Sequence, residues 1–164
     1  MKIPNLPRYG IYNKLTLSIV FAAILLFFRI GPTHSFFYTF LVWNLFLATI
    51  PYFISQFMFV KFKEDRLSKW GFWVGLFCWQ LFLPNSPYMI TDLIHLPDGA
   101  SHLLWLDLFL IFVFAVNGLL LGLLSLMDIY TILKVRFTDT IASPIILLCC
   151  LLSGYGMYVG RFNA

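Results

Sequence analysis

The polar residues that could do chemistry are concentrated between Leu83 and His95, in the sequence LPNSPYMITDLIH. Tyr88, Asp92 and His95 are spaced i, i+4 and i+7, so a helix would place all three on one face. At i, i+3 an aspartate can orient an imidazole and stabilise its charge, which is the arrangement that general acid–base catalysis needs. We therefore predict Asp92 and His95 as the candidate catalytic pair.

Four polar residues are candidate substrate-binding groups: Asn85, Tyr88, Asp107 and Arg161. Asn85 and Tyr88 could donate hydrogen bonds, and Arg161 could hold an anionic head group. Asp107 lies just over one turn inside a predicted apolar helix. A carboxylate there needs a partner, since its burial costs about 2.5–3.5 kcal/mol at mid-bilayer and less near the edge. By predicted depth alone, Arg161 is the first choice of partner and Arg29 the second.

Other interpretations of the polar segment stay open. It could be a solvated loop with local caps and turns, a polar contact for another subunit, or a metal site built on Asp92, His95, Asp98 and His102. The spacing of these four residues meets no defined zinc motif, so we predict no metal site and no cofactor. The sequence contains no Gly-x-Ser-x-Gly, phosphate-binding glycine loop or His-Glu-x-x-His motif. Whether the protein is an enzyme is left open.

The composition indicates the solvent that the chain is built for. Hydrophobic residues make up 61% of the 164 positions and charged residues 11%, with a mean hydropathy of +0.89. A soluble domain carries about 25% charged residues, so the bilayer must be the main solvent. The net charge of +4 comes from basic residues in short loops, so we predict no nucleic-acid partner. Membrane lipid is the expected partner, and another membrane subunit is left open.

The apolar stretches predict an all-α, polytopic transmembrane helical bundle of about five spans, forming a single transmembrane domain over residues 1–164. The predicted spans cover residues 15–28, ended by Gly31-Pro32; 36–60, kinked at Pro51; 71–96; 102–134; and 143–160. The third span is broken at Pro84–Pro87, where Ser86 followed by Pro87 is typical of a helix N-cap and its first helical residue. Ser143-Pro144 predicts the start of the fifth span in the same way.

Two further patterns concern packing and orientation. A stripe of small residues on one face of the fourth span favours close packing within the chain; it consists of Ala115, Gly118, Gly122 and Ser125. Lysines and arginines number three at the N-terminus, four after the second span and two after the fourth, so nine of the 11 lie on one side of the membrane. The positive-inside rule then predicts a cytoplasmic N-terminus and an external C-terminus, with Asp92 and His95 on the outer face.

Four stretches carry a resemblance to a known family: Phe82–His95, Trp105-Leu-Asp107, Asn117–Leu126 and Gly154–Phe162. Over about residues 70–162 the sequence is similar to the bacterial integral-membrane family called domain of unknown function 1361. The resemblance implies a small multi-pass protein of the bacterial cytoplasmic (inner) membrane, and it implies no activity because the family is uncharacterised. The family pattern continues past Gly-Arg-Phe with a polar, Trp-containing segment and another apolar span, so this chain is expected to be a short or truncated member.

These observations predict a membrane enzyme or lipid-handling protein with a polar site on the extracytoplasmic face. Two alternatives remain. One is a small transporter, or a transporter subunit, whose binding site is formed by the broken helix. The other is a non-catalytic membrane assembly factor that uses its glycine-rich faces.

Overall fold

The computed structural model describes residues 9–33, 39–91 and 104–162, and all regular secondary structure in these ranges is helical. The helices are α1 (Tyr9–Thr33), α2 (Thr39–Lys63), α3 (Lys69–Phe82), α4 (Asn85–Tyr88), α5 (Leu104–Arg136) and α6 (Asp139–Phe162). Four of them, α1, α2, α5 and α6, are long and apolar enough to cross a membrane. The prediction of an all-α membrane bundle is confirmed.

Helix α5 is the centre of the bundle. Its 33 residues give a length of about 50 Å at 1.5 Å per residue, and α1, α2, α4 and α6 all contact it. One hydrophobic core lies among α1, α2 and the first half of α5. A second core lies where α2, α3 and α6 pack on the second half of α5.

The two ends of the bundle differ in charge. Helices α2 and α5 run parallel, because Ser86 lies against both Ala48 of α2 and Gly122 of α5, while Ser55, further along α2, contacts Asp128, further along α5. The last turns of both helices are basic and contain Lys61, Lys63, Lys134 and Arg136. We call this the basic end. At the opposite end, Arg29 near the end of α1 pairs with Asp107 in the first turn of α5, and we call this the ion-pair end.

The interruption predicted in the third span is confirmed, because α3 ends at Phe82 and α4 begins at Asn85. With 14 residues, α3 is about 21 Å long, which is shorter than the roughly 30 Å hydrocarbon core. It runs antiparallel to α5 from Phe72, whose ring lies 6.3 Å from that of Phe137, to the interruption at the middle of α5. Along the chain α3 and α4 come between the parallel helices α2 and α5, and they lead from the basic end back toward the middle of the bundle.

Several predicted helix boundaries are wrong. Ser86 is not an N-cap: Pro84 precedes the first residue of α4, and no side chain caps that helix. Ser143-Pro144 lies inside α6, which begins at Asp139. Two features favour the start of α6 at Asp139. The Asp139 carboxylate accepts hydrogen bonds from the Tyr130 hydroxyl and from Lys134 Nζ, the latter at 2.8 Å. An acidic residue in the first turn also interacts favourably with the helix dipole.

Two other prolines also lie within helices. The end of the first span predicted at Gly31-Pro32 agrees with the structure to within one residue, since α1 is described as far as Thr33. Helix α2 passes through Pro51, and the kink predicted at Pro51 stays a prediction. A proline removes one backbone hydrogen bond to the carbonyl four residues earlier, and α2 is continuous in spite of that loss at Pro51.

Candidate functional site at the helix break

Hydrogen bonds satisfy several backbone groups around the interruption between α3 and α4. Backbone N–H groups donate to backbone carbonyls from Leu83 to Trp79 at 3.0 Å, from Ser86 to Leu83 at 3.1 Å and from Tyr88 to Pro84 at 3.2 Å. The Asn85 side-chain amide donates to the Phe82 carbonyl at 3.1 Å. In hydrocarbon an unsatisfied backbone group costs several kcal/mol, so these bonds allow the chain to break a helix at this depth.

The glycines of α5 allow the break to approach the helix backbone closely. A Cβ atom on Gly122 would lie 2.7 Å from Ser86 Cβ, and one on Gly118 would lie 2.8 Å from Met89 Sδ and 3.1 Å from the Ser86 carbonyl oxygen. The Ser86 hydroxyl is buried and lies 3.5 Å from the Ala48 carbonyl oxygen of α2. The small-residue stripe therefore packs within the chain, as the sequence predicted.

A buried tryptophan fixes the last turn of α3 against α5. Trp79 is fully buried, and its indole N–H donates to Ser125 Oγ at 3.2 Å. The Ser125 hydroxyl in turn donates to the Gly122 carbonyl at 2.8 Å. These bonds hold the end of α3 at the level of the glycine stripe.

An apolar cleft of about 240 Å³ lies beside the break, between α4, α5 and α6. Leu83, Ser86 and Pro87 form one side of it, and the others include Leu119, Leu123, Gly154 and Met157. Around Gly154 the cleft is open, because a Cβ atom there would meet nothing within 4 Å. Gly156, also on α6, packs against the break, and its Cβ would lie 3.2 Å from Pro84 Cγ.

The ion-pair end contains a buried, bidentate salt bridge between Arg29 and Asp107. Arg29 Nε and Nη2 each donate to one oxygen of the Asp107 carboxylate, with Nη2 3.0 Å from Oδ2, and both residues are buried. The partner of Asp107 is thus Arg29, the second choice from the sequence, because α1 packs on the start of α5. Arg161, the first choice, lies in the last turn of α6, and its side chain lies outside the described residues.

Of the other predicted site residues, Asn85 and Tyr88 lie at the break and Asp107 lies at the ion-pair end. Asp92 and His95 lie in residues 92–103, outside the described residues, so their pairing stays a prediction. Asn85 and Tyr88 lie at the break, close to the level of Gly118. Asp107 lies eleven residues along α5 from Gly118, a distance of about 16 Å.

One buried acid was missed from the sequence. Asp128 of α5 accepts hydrogen bonds from Ser55 Oγ, at 3.4 Å, and from Gln56 Nε2, both on α2. The sequence feature that could have revealed it is an aspartate within the apolar run from Leu119 to Ile132. An acidic residue inside a membrane span is by default a candidate functional residue.

Gln56 and Gln80 both make hydrogen bonds between helices. The Gln80 amide donates to the Cys149 carbonyl at 3.1 Å and to Ser153 Oγ at 3.2 Å, both on α6. Asn117 differs, since its amide donates to the Val113 carbonyl of its own helix at 2.9 Å.

Among the residues that the structure describes, no three His, Cys, Asp or Glu side chains are grouped so as to hold a metal ion.

The sequence pattern of a family described as "Protein of unknown function (DUF1361)" matches residues 43–164, which are 122 of the 164 residues. The match includes the helix break, the cleft and both buried aspartates of α5, whereas α1 and Arg29 precede it. No curated protein and no solved structure matches the chain.

Proposed function

We propose that this chain, which belongs to the DUF1361 family, is a lipid-handling membrane protein that holds one hydrocarbon chain in the cleft beside the helix break. The observation that carries the proposal is the apolar cleft itself, which lies between α4, α5 and α6. It exists because the glycine stripe draws the break onto α5 while Gly154 leaves space on α6.

The depth of the cleft favours a lipid chain as its occupant. Gly122, which lines the cleft, is 18 residues from Leu104 and 14 from Arg136, or about 27 and 21 Å along α5. At that depth the surroundings are hydrocarbon, and acyl chains are the molecules available to fill an apolar space. The volume of about 240 Å³ is below the roughly 300–1,000 Å³ of pockets that enclose a whole ligand, which favours one chain of a lipid over the entire molecule.

The head group of such a lipid is assigned to the ion-pair end. Arg161 follows Met157 of the cleft by one helical turn, in the direction of the ion-pair end, and could hold the anionic phosphate of the head group. Asp92 and His95 belong to the chain segment between α4 and α5, and we propose that they act on this head group. An acid–base reaction on the head group, with Asn85 and Tyr88 donating hydrogen bonds, is the enzymatic form of this proposal.

The proposed location is the bacterial inner membrane, with the N-terminus and the basic end in the cytoplasm. Lys61, Lys63, Lys134 and Arg136 lie in the last turns of α2 and α5, and an excess of basic residues favours the cytoplasmic side. The ion-pair end would then face outward, together with Asp92 and His95.

The test uses native mass spectrometry of the protein released from nanodiscs of zwitterionic phosphatidylethanolamine. Gly154→Leu fills the cleft, while Gly160→Leu is a matched control, since Gly160 also meets nothing within 4 Å but does not line the cleft. We expect the wild type and Gly160→Leu to retain one lipid and Gly154→Leu to lose most of it. Equal retention by both variants would exclude the cleft as the binding site.

The same measurement tests the head-group assignment. We expect the double variant Asp92→Asn/His95→Asn to retain less lipid than the wild type at an unchanged melting temperature. Unchanged retention would show that these two side chains take no part in holding the lipid.

A further inference from the structure

We infer that the basic end carries a second and separate site, which binds an anionic phospholipid in a groove between α2 and α3. The groove has a volume of about 430 Å³, and Lys61 is the charged residue among those that line it. The geometry assigns the acyl chain to the groove and the phosphate to the Lys61 ammonium group.

The shape of the groove follows from aromatic and glycine residues facing one another. Phe53 and Phe57 of α2 form one wall of the groove. The opposite wall is formed by the smaller residues Gly71, Val74 and Gly75 of α3. Gly75 leaves room for the Met58 side chain of α2, because a Cβ atom at residue 75 would lie 2.7 Å from Met58 Sδ.

The groove has the direction and exposure that an acyl chain requires. From Lys61 to Phe53 it extends over eight residues of α2, about 12 Å from the basic end toward the middle of the bundle. Phe53 is 65% exposed, Phe57 62% and Val74 59%, so the groove opens sideways to the surrounding lipid.

The charge at the mouth of the groove selects an anionic head group. Lys61 Nζ lies 4.3 Å from the centre of the Phe57 ring, a cation–π contact that holds the ammonium group over the wall of the groove. The segment from Lys61 to Lys69 contains four basic residues against Glu64 and Asp65, and such segments beside a membrane span attract anionic lipids. A free phosphate would satisfy Lys61 but would leave the groove empty, whereas a phospholipid satisfies both.

The matched control is Lys63, which has the same charge and a similar ring contact. Its Nζ lies 4.9 Å from the centre of the Phe59 ring, but it does not line the groove. Lys61→Gln and Lys63→Gln therefore remove one charge each from the same helix end, and only the first removes it from the proposed site.

The experiment measures which lipids are retained by native mass spectrometry from nanodiscs of phosphatidylglycerol mixed with phosphatidylcholine. We expect the wild type and Lys63→Gln to retain phosphatidylglycerol in preference to phosphatidylcholine, and Lys61→Gln to lose this preference several-fold. Val74→Trp fills the groove without changing a charge and should lower the retention of phosphatidylglycerol as well.

Three outcomes would overturn the inference. They are an equal loss in both lysine variants, no preference for phosphatidylglycerol in the wild type, and full retention by Val74→Trp. The site is independent of the proposed function, so Gly154→Leu should keep the phosphatidylglycerol preference even where it loses the zwitterionic lipid.

Discussion

Helix α5 buries two aspartates, and the bundle stabilises them in different ways. Asp107 is 2% exposed and receives two hydrogen bonds from the guanidinium group of Arg29 on α1. Asp128 is 1% exposed and receives a hydroxyl and an amide hydrogen bond from Ser55 and Gln56 on α2. One carboxylate thus has a cationic partner, and the other has neutral donors.

The positions of the two aspartates explain why both can exist in an apolar helix. Asp107 lies in the first turn of α5, and Asp128 lies eight residues, about 12 Å, before Arg136. The middle of α5 carries Gly118 and Gly122 instead, where the break comes so close that a side chain would not fit. The two carboxylates are therefore placed toward the ends of the helix, and its centre is used for close packing.

The comparison predicts that removing the charge at Asp107 has the largest effect on stability. Asp107→Leu would leave the Arg29 guanidinium buried without its carboxylate, and breaking a buried ion pair in this way costs about 3–5 kcal/mol. The free energy of unfolding in detergent micelles, compared between wild type and variant, measures this loss.

The double variant Arg29→Leu/Asp107→Leu is the control for that prediction. Replacing both members of a buried pair by apolar residues is often neutral, so the double variant should recover most of the lost stability. A double variant as unstable as Asp107→Leu would show that the pair does not act as a unit.

The ion pair also shows what the sequence could and could not predict. Composition and span length predicted the helical bundle, and Asp107 at a helix entrance indicated that it needs a partner. Predicted depth alone could not rank Arg29 above Arg161, because the sequence places both arginines at the outer ends of their predicted spans. Only the packing of α1 on α5 decides which arginine reaches the carboxylate.

The helix break shows a second limit of the same kind. The prolines at 84 and 87 predicted the interruption, but Ser86 was interpreted as a cap because its local sequence matches one. In the structure Ser86 is held between the Ala48 carbonyl and the backbone of Gly122. These contacts are distant in sequence, so a local pattern could not reveal them.

Asp128 is expected to be less critical than Asp107. Asp128→Leu leaves the donors on Ser55 and Gln56 without this acceptor, and an unsatisfied buried donor costs about 1–3 kcal/mol. Asp128→Asn should cost less, since the amide oxygen can still accept. Unfolding in the same micelles measures both variants, and a loss at Asp128→Leu equal to that at Asp107→Leu would remove the distinction between the two sites.

The smallest effect is expected at Ser55, which sharpens the comparison within the Asp128 site. The Ser55 hydroxyl has one proton and lies 2.8 Å from the Tyr52 carbonyl oxygen but 3.4 Å from Asp128 Oδ2. The shorter bond should hold the proton for most of the time, so Ser55→Ala should cost about 0.5 kcal/mol, close to the average of about 0.6 kcal/mol for side-chain hydrogen bonds between membrane helices. A double-mutant cycle of Ser55→Ala with Asp128→Leu measures their coupling directly. A coupling as large as that between Gln56→Leu and Asp128→Leu would show that the hydroxyl is a full donor to the carboxylate.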